Sequence, residues 1–413
     1  MDSIAFFLDF NESTNNDARR TRKKVRDNAV DVFQLPDDVF VKQFRLNKIA
    51  FQYVLNILKR EMLPVIKTWS ISPELKLEAC LRFFAEGGYQ NGTGQDFNIG
   101  MAQSTVSIVL SEVLNILEAT LCPRWISLAM TETEELEAKR YFFGKTRIPG
   151  IVMCVDGTHI KILKPAGDNS HLYYNRKGYY SINAMIICDH KQRIRYVNSR
   201  YAGASHDSFI WENSEASRHF QTMYENGHRS TRLLGDSGYP LLPWLITPFR
   251  NVGANTPQSR FNKSHSSGRN IVERTIGVWK NWCRCLLSAR QLHYSPEKVA
   301  QIVNVAAALH NIRIHYNISD EYLEGVFESE EYENGEPVQH QRGQVYMNTY
   351  RFIMTAGMLY GLVAVLAIPS ILRVLICTRQ SSTCATAFRR YTRTILHTNA
   401  WYDFSPSKAN SKF

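Results

Sequence analysis

Apolar residues recur at helical spacing through the first third of the chain and give way to strand-like runs after Gly150. Phe40 and Phe44 stand four apart, and Phe51, Val54, Leu55 and Leu58 repeat at i, i+3, i+4 and i+7, which marks one buried helical face. A second helix is announced by Ser72-Pro73-Glu74 ahead of Leu75, Leu77, Ala79, Leu81, Phe83 and Phe84. Serine caps free N–H groups, proline suits the first turn and glutamate favours the dipole. Gly87-Gly88 stops the helix. Thr93 to Gly100 then gives a short element and a glycine turn, and Met101 to Leu110 opens a longer amphipathic helix, which together make helix-turn-helix spacing. In such a unit the second helix enters the major groove with its first residues at base edges. Gln103, Ser104, Thr105 and Ser107 are therefore candidate DNA-binding side chains, with Val106, Val109 and Leu110 packing inward. An ordinary helical hairpin with a polar outer face gives the same pattern.

Past Gly150 the runs Ile151–Val155, Tyr180–Cys188 and Ile194–Tyr201 are rich in β-formers and separated by polar turns such as Asp189-His190-Lys191-Gln192. A helix is expected over 205–220, a fourth strand near Arg232–Gly235, and helices from Asn270 onward. This order predicts an α/β domain, a sheet of mixed strands flanked by helices. The divisions expected are a polar basic leader at 1–36, a helical module at 37–130, the α/β domain at 150–317, an acidic linker at 318–342 and a tail at 343–413.

Composition narrows the class. The 413 residues are 44% hydrophobic and 21% charged, a globular balance that excludes disordered and collagen-like chains. A formal charge of +11 points to a polyanion or an anionic membrane surface as partner. Eight scattered cysteines show no CxxC or Cys/His zinc spacing and read as buried small apolar groups in a reducing compartment. The opening Met1–Asp9 run is too short, and lacks the basic flank, for a signal peptide. Arg19, Arg20, Arg22, Lys23, Lys24 and Arg26 form a candidate nuclear-import or phosphate-binding segment, or else a solvated basic tail. Phe352 to Leu372 carry no charge over a length able to span a bilayer, with Gly357 and Gly361 inside it and arginines after it. A membrane anchor, a helix packed on the protein and an appended coding segment all fit this tail.

Three acids stand in three contexts. Asp156 closes the strand-like run Ile151–Val155, Asp236 lies in Leu234-Gly235-Asp236-Ser237-Gly238-Tyr239-Pro240, and Glu273 lies on a helical stretch. Hard divalent cations prefer carboxylate ligands, and in-line attack on a phosphodiester is served by two such ions. A carboxylate at the exit of a buried strand is fixed by the sheet yet reachable through loops. Arg269 lies one turn before Glu273 and Lys280 two turns after it, so both could hold phosphates beside the metals. Asp207 at a helix start reads as a supporting residue, and His159 as a strand-exit hydrogen-bonding residue. The rings and cations of Tyr173 to Tyr180 could line a nucleic-acid groove or pack as core. Trp279 and Trp282 read as core anchors.

Val155-Asp156-Gly157-Thr158-His159-Ile160, Gly203-Ala204-Ser205-His206-Asp207-Ser208, the Gly235-Asp236-Ser237-Gly238-Tyr239-Pro240 block and Val272-Glu273-Arg274-Thr275-Ile276-Gly277 resemble, in order, the four blocks of the PIF/Harbinger transposases and the nucleases derived from them. Leu309-His310-Asn311 resembles the family's closing helix, and the likeness covers residues 37–317. The resemblance implies an RNase H-like fold with a catalytic and metal-binding triad on Asp156, Asp236 and Glu273, dependence on Mg²⁺ or Mn²⁺, DNA as substrate, a nuclear and also cytoplasmic location, and a Myb-like DNA-binding partner. The competing expectation is a domesticated DNA-binding or scaffold protein in which the acids are relics. The tail falls outside the resemblance.

Overall fold

A computed structural model describes residues 17–62, 70–87, 93, 98–289, 291–323, 332–333 and 336–337. The chain divides into two units, residues 1–329 and 330–413. Of the second, Tyr332–Glu333 and Glu336–Pro337 are described, as an antiparallel pair. The apolar run 352–372 lies outside the described residues, as does 94–97, the body of the expected first helix of the helix-turn-helix.

In the first unit a helix over residues 17–27 (α1) carries the basic segment. It is followed by α2 (Asp37–Phe44), α3 (Lys48–Glu61), α4 (Pro73–Glu86), α5 (Gln103–Trp125) and α6 (Glu132–Thr146). The caps follow the sequence: Ser72 accepts from the Leu75 N–H, and Gly87 ends α4 at φ +62°. Gly87 has a second reason to be glycine, because a Cβ there would lie 2.6 Å from the Arg284 carbonyl.

The sheet comprises β1 (Ile151–Lys161), β2 (Ser181–Asp189), β3 (Ile194–Ala202), β4 (Arg232–Leu234) and β5 (Leu245–Ile246) in the order β3-β2-β1-β4-β5. β1 to β3 are antiparallel neighbours, whereas β4 and β5 run parallel to β1. Helices α7 (Asp207–Glu212) and α8 (Glu215–Glu225) follow β3, and the long α9 (Pro257–Trp282) and α10 (Pro296–His315) follow β5. This mixed five-stranded sheet with flanking helices matches the RNase H-like expectation.

Several boundaries differ from the sequence expectation. β1 continues through Lys161 because β2 pairs with it as far as Lys161↔Ser181, so Asp156 sits in mid-strand rather than at a strand exit. The expected helix over 205–220 breaks in two at Ser214, whose side chain caps the second segment by accepting from the Ser217 N–H. The helix expected from Asn270 starts at Pro257, where Thr256 caps it. The start of the expected acidic linker is folded: Ile318 is buried, and Asp320 accepts from the Trp282 indole at 2.9 Å and pairs with Arg313.

The sheet separates two apolar layers. Cys154, Ile160, Ile182 and Ile186 join α2–α5, α9 and α10 in one core; Val155, Met185 and Ile187 join Ile210, Trp211 and Phe220 in the other. The amino-terminal helices therefore share a continuous core with α9 and α10. β2 is buried along its whole length, as a central strand covered on both faces must be. Trp279 and Trp282 are core anchors, as their sequence context suggests.

Candidate active site

Strand periodicity aims Asp156. Residues two apart on a strand share a face, so Asp156 points to the side of Cys154, whose thiol lies 3.7 Å from the Gly268 carbonyl in α9. The helix comes this close because residue 268 is glycine. A Cβ there would lie 2.5 Å from Thr146 Cγ2 and 2.7 Å from Leu234 Cδ1. The next residue, Arg269, consequently reaches Asp156 at 3.0 Å, and Glu273 follows one turn later on the same helix.

Parallel pairing brings in Asp236. Cys154 is registered with Leu234; two residues further along stand Asp156, in the middle of β1, and Asp236, just past the end of the adjacent β4. Asp236 Oδ1 accepts from the Gly238 N–H at 2.9 Å, which fixes the turn after β4.

Asp207 opens α7, yet its carboxylate caps no N–H group there. Its Oδ1 accepts from Asn183 Nδ2 at 2.9 Å. Two glycines make room for it: a Cβ on Gly157 would lie 2.6 Å from Asp207 Oδ1, and one on Gly238 would lie 3.4 Å from Asp207 Oδ2 and 3.1 Å from Asp236 Oδ1. Asp207 and Asp236 thus flank one small space. Asp156, Asp207, Asp236 and Glu273 gather beside mid-β1, beyond the end of the short β4, drawn from four separate stretches of chain.

Like charges in a poorly solvated place hold protons more firmly. Burial pushes the Asp156 carboxyl up to about 7; Arg269 opposes this, and Asp236 and Glu273 add to it. Burial also raises Asp207, with Asn183 opposing and Asp236 adding. Tyr239 is buried, its hydroxyl has no partner among the described residues, and after burial the carboxylates Asp207, Asp156 and Asp236 raise it most.

The donor chemistry fits a hard divalent cation, since all four acids offer oxygen and an orphaned hydroxyl stands among them. Among the described residues, however, no three His, Cys, Asp or Glu side chains are already drawn to ligand spacing. Arg269 Nη2 lies between Asp156 and Glu273 instead.

The remaining expected residues are placed as follows. His159 Nδ1 meets Ser181 Oγ at 3.1 Å, and burial lowers its pKa to about 4, with Lys177, Lys280 and Arg176 adding to the effect. Lys280 is buried and donates to the His159 carbonyl at 3.1 Å, so it braces β1 instead of facing solvent beside Glu273. Tyr174 is half exposed and stacks edgewise on Tyr180, in a turn closed by Asn175 donating to Ser181. At the start of α5, Gln103 and Ser104 are exposed, Thr105 and Ser107 are partly exposed, and Val106, Val109 and Leu110 are buried. Arg26 of α1 donates to the Gly100 carbonyl, which places the basic helix against the turn preceding α5.

Sequence reading missed Asn183 and Tyr239. Asn183 did leave a signal: it is the one amide in the apolar run Ile182–Cys188, and a polar group in a strand buried on both faces needs a partner. Tyr239 left none beyond its place in the Asp236 block.

A profile described as DDE superfamily endonuclease matches residues 155–311, which include all four acids. A Mus musculus protein named "Putative nuclease HARBI1" is 30% identical over 62% of this chain and 71% of its own length. Its Xenopus laevis namesake is 29% identical over 70% of this chain and 83% of its own length. An Arabidopsis thaliana protein named "Protein ALP1-like" is 26% identical over 67% of this chain and 70% of its own. No solved structure matches.

Proposed function

This chain belongs to the Harbinger transposase-derived nucleases of the DDE superfamily, and on that premise we propose that it cuts DNA by metal-dependent hydrolysis of phosphodiester bonds. The observation that carries this reading is the convergence of Asp156, Asp236 and Glu273 from mid-strand, a strand-exit turn and a facing helix onto one place beyond the end of β4. Mg²⁺ or Mn²⁺, held by these three acids with Asp207 beside them, would supply an activated water and stabilise the departing oxygen.

The chain's own residues provide the frame. The Gly157 N–H donates to Asp156 Oδ1 at 3.0 Å and leaves Oδ2 directed at α9. Asn183 holds one oxygen of Asp207 and the Gly238 N–H one oxygen of Asp236, so these carboxylates are aimed in advance of a cation. The exposed polar start of α5 is assigned to base reading, and the basic α1 beside it to phosphate contact and nuclear entry.

The test is cleavage of duplex DNA by the purified chain in Mg²⁺ or Mn²⁺, with and without chelator. Asp156→Asn, Asp236→Asn and Glu273→Gln each keep the side-chain shape and remove a ligand charge; each is expected to reduce cleavage by at least about a hundredfold. A wild-type protein that binds DNA but cuts in neither metal would replace this reading with that of a DNA-binding scaffold.

A further inference from the structure

Arg269 has no role in the reading above, yet it is the cation that bridges two acids of the cluster. Its Nη2 donates to Glu273 Oε1 at 2.7 Å and to Asp156 Oδ2 at 3.0 Å. The bond to Glu273 alone would be an ordinary i,i+4 helix pair, one partner of which is half exposed, and such pairs contribute little. The bond to Asp156 is different. It crosses from α9 to β1, between side chains only 17% and 16% exposed, and it ties together two acids assigned to the metal.

Mg²⁺ bound by both acids needs their oxygens at roughly 2.0–2.1 Å. The guanidinium nitrogen stands against one oxygen of each acid, Asp156 Oδ2 and Glu273 Oε1, so a cation bridging those two oxygens has to displace it. Nor is Arg269 fully settled where it is, since its Nε is buried and has no hydrogen-bond partner among the described residues. A guanidinium committed to this position for structure alone would be expected to use that donor.

We propose that Arg269 is a placeholder cation, a positioning residue that holds Asp156 and Glu273 together in the metal-free protein and must withdraw before metal can bind both. The proposal rests on the metal-dependent reading of this site. It explains how two carboxylates can remain close without repelling each other in the absence of metal. It also makes metal binding a conformational event at α9.

Competition and structural support have opposite signatures. A residue that merely stabilises the fold loses both stability and metal affinity when removed; a competitor loses stability but leaves the metal bound more tightly. The test compares the full chain with Arg269→Met, which keeps the apolar stem and removes the charge. Thermal unfolding is followed in chelator, and Mn²⁺ binding is measured by calorimetry. Arg269→Met should unfold several degrees lower in chelator, bind Mn²⁺ about tenfold more tightly, and gain more from Mn²⁺ than wild type does.

Arg269→Lys provides the second variant, because an ammonium keeps the charge without the planar fork. It too should bind Mn²⁺ more tightly than wild type, by a smaller factor, and it is decisive if Arg269→Met does not fold. Unchanged or weaker Mn²⁺ binding in a folded variant, with wild type binding normally, overturns the placeholder role and leaves the nuclease reading intact. A wild type that binds no Mn²⁺, with the variants equally inert, overturns both.

Discussion

Replacing Gly268 with alanine asks whether the close approach of α9 builds the site, and Gly277 of the same helix provides a matched control. In a helix interior, Gly→Ala gains roughly 1 kcal/mol from backbone propensity. At Gly277 no described residue lies within 4 Å of the added methyl, so Gly277→Ala should keep that gain. At Gly268 the methyl would sit 2.5 Å from Thr146 Cγ2 and 2.7 Å from Leu234 Cδ1, both on buried residues of other elements. Overpacking of this kind costs about 1–3 kcal/mol, and two simultaneous contacts below 3.0 Å put it toward the upper end. The net change for Gly268→Ala is therefore about 2 kcal/mol destabilising, and the two variants should differ by about 3 kcal/mol. Urea unfolding at matched slope reads this difference as a separation of midpoints, with Gly268→Ala below wild type and Gly277→Ala above it. Activity adds a second readout: pushing α9 from the sheet moves Glu273 from Asp156, so cleavage should fall further than stability does. Equal midpoints for the two variants would refute the close-approach argument, whatever happened to activity.

Acid should unfold this protein early. Burial holds the His310 imidazole down at about 4, and the paired Glu134 is lowered to about 2 by the Thr131 N–H and by Arg195 and Arg193, against the effect of its burial. Both groups bind protons more weakly folded than unfolded, so their contributions are present at neutral pH. The His310 contribution is lost as pH falls from about 6.5 towards 4, at up to about 1.4 kcal/mol per pH unit, and that of Glu134 below about 4.5. His310→Asn should flatten the upper part of a plot of urea midpoint against pH, and an unchanged slope would remove His310 as the cause. Tyr239→Phe removes a buried hydroxyl with no partner among the described residues; metal-free protein should become no less stable, by calorimetry, while Mn²⁺ binding weakens. A clear loss of metal-free stability would show that the hydroxyl already has a partner. Alanine at Gln103, Thr105 and Ser107 should change which sequences a selected oligonucleotide library yields, whereas neutralising Arg19, Arg20, Arg22, Lys23, Lys24 and Arg26 should weaken binding across all sequences. An unaltered preference would exclude the α5 start from base reading.

The sequence by itself determined what depends on neighbours along the chain. Ser72-Pro73 and Gly87 bounded α4 because caps act on groups one turn away, and the spacing of Phe51, Val54, Leu55 and Leu58 marked the inward face of α3 because helix geometry is local. The four blocks carrying Asp156, Asp207, Asp236 and Glu273 could be read in order, since each is a short string of residue types. Contacts between distant segments were decided elsewhere. The parallel register of Cys154 with Leu234 set Asp156 beside Asp236, and the gap left by Gly268 let Arg269 reach β1. Lys280 looked like a phosphate-facing cation at helical spacing from Glu273, but packing turned it inward to the His159 carbonyl. Asp207 looked like a helix-start carboxylate, but Asn183 on β2 holds it facing Asp236. Residue type and period tell which face of an element a side chain occupies; only the packed sheet and helices decide what it meets there.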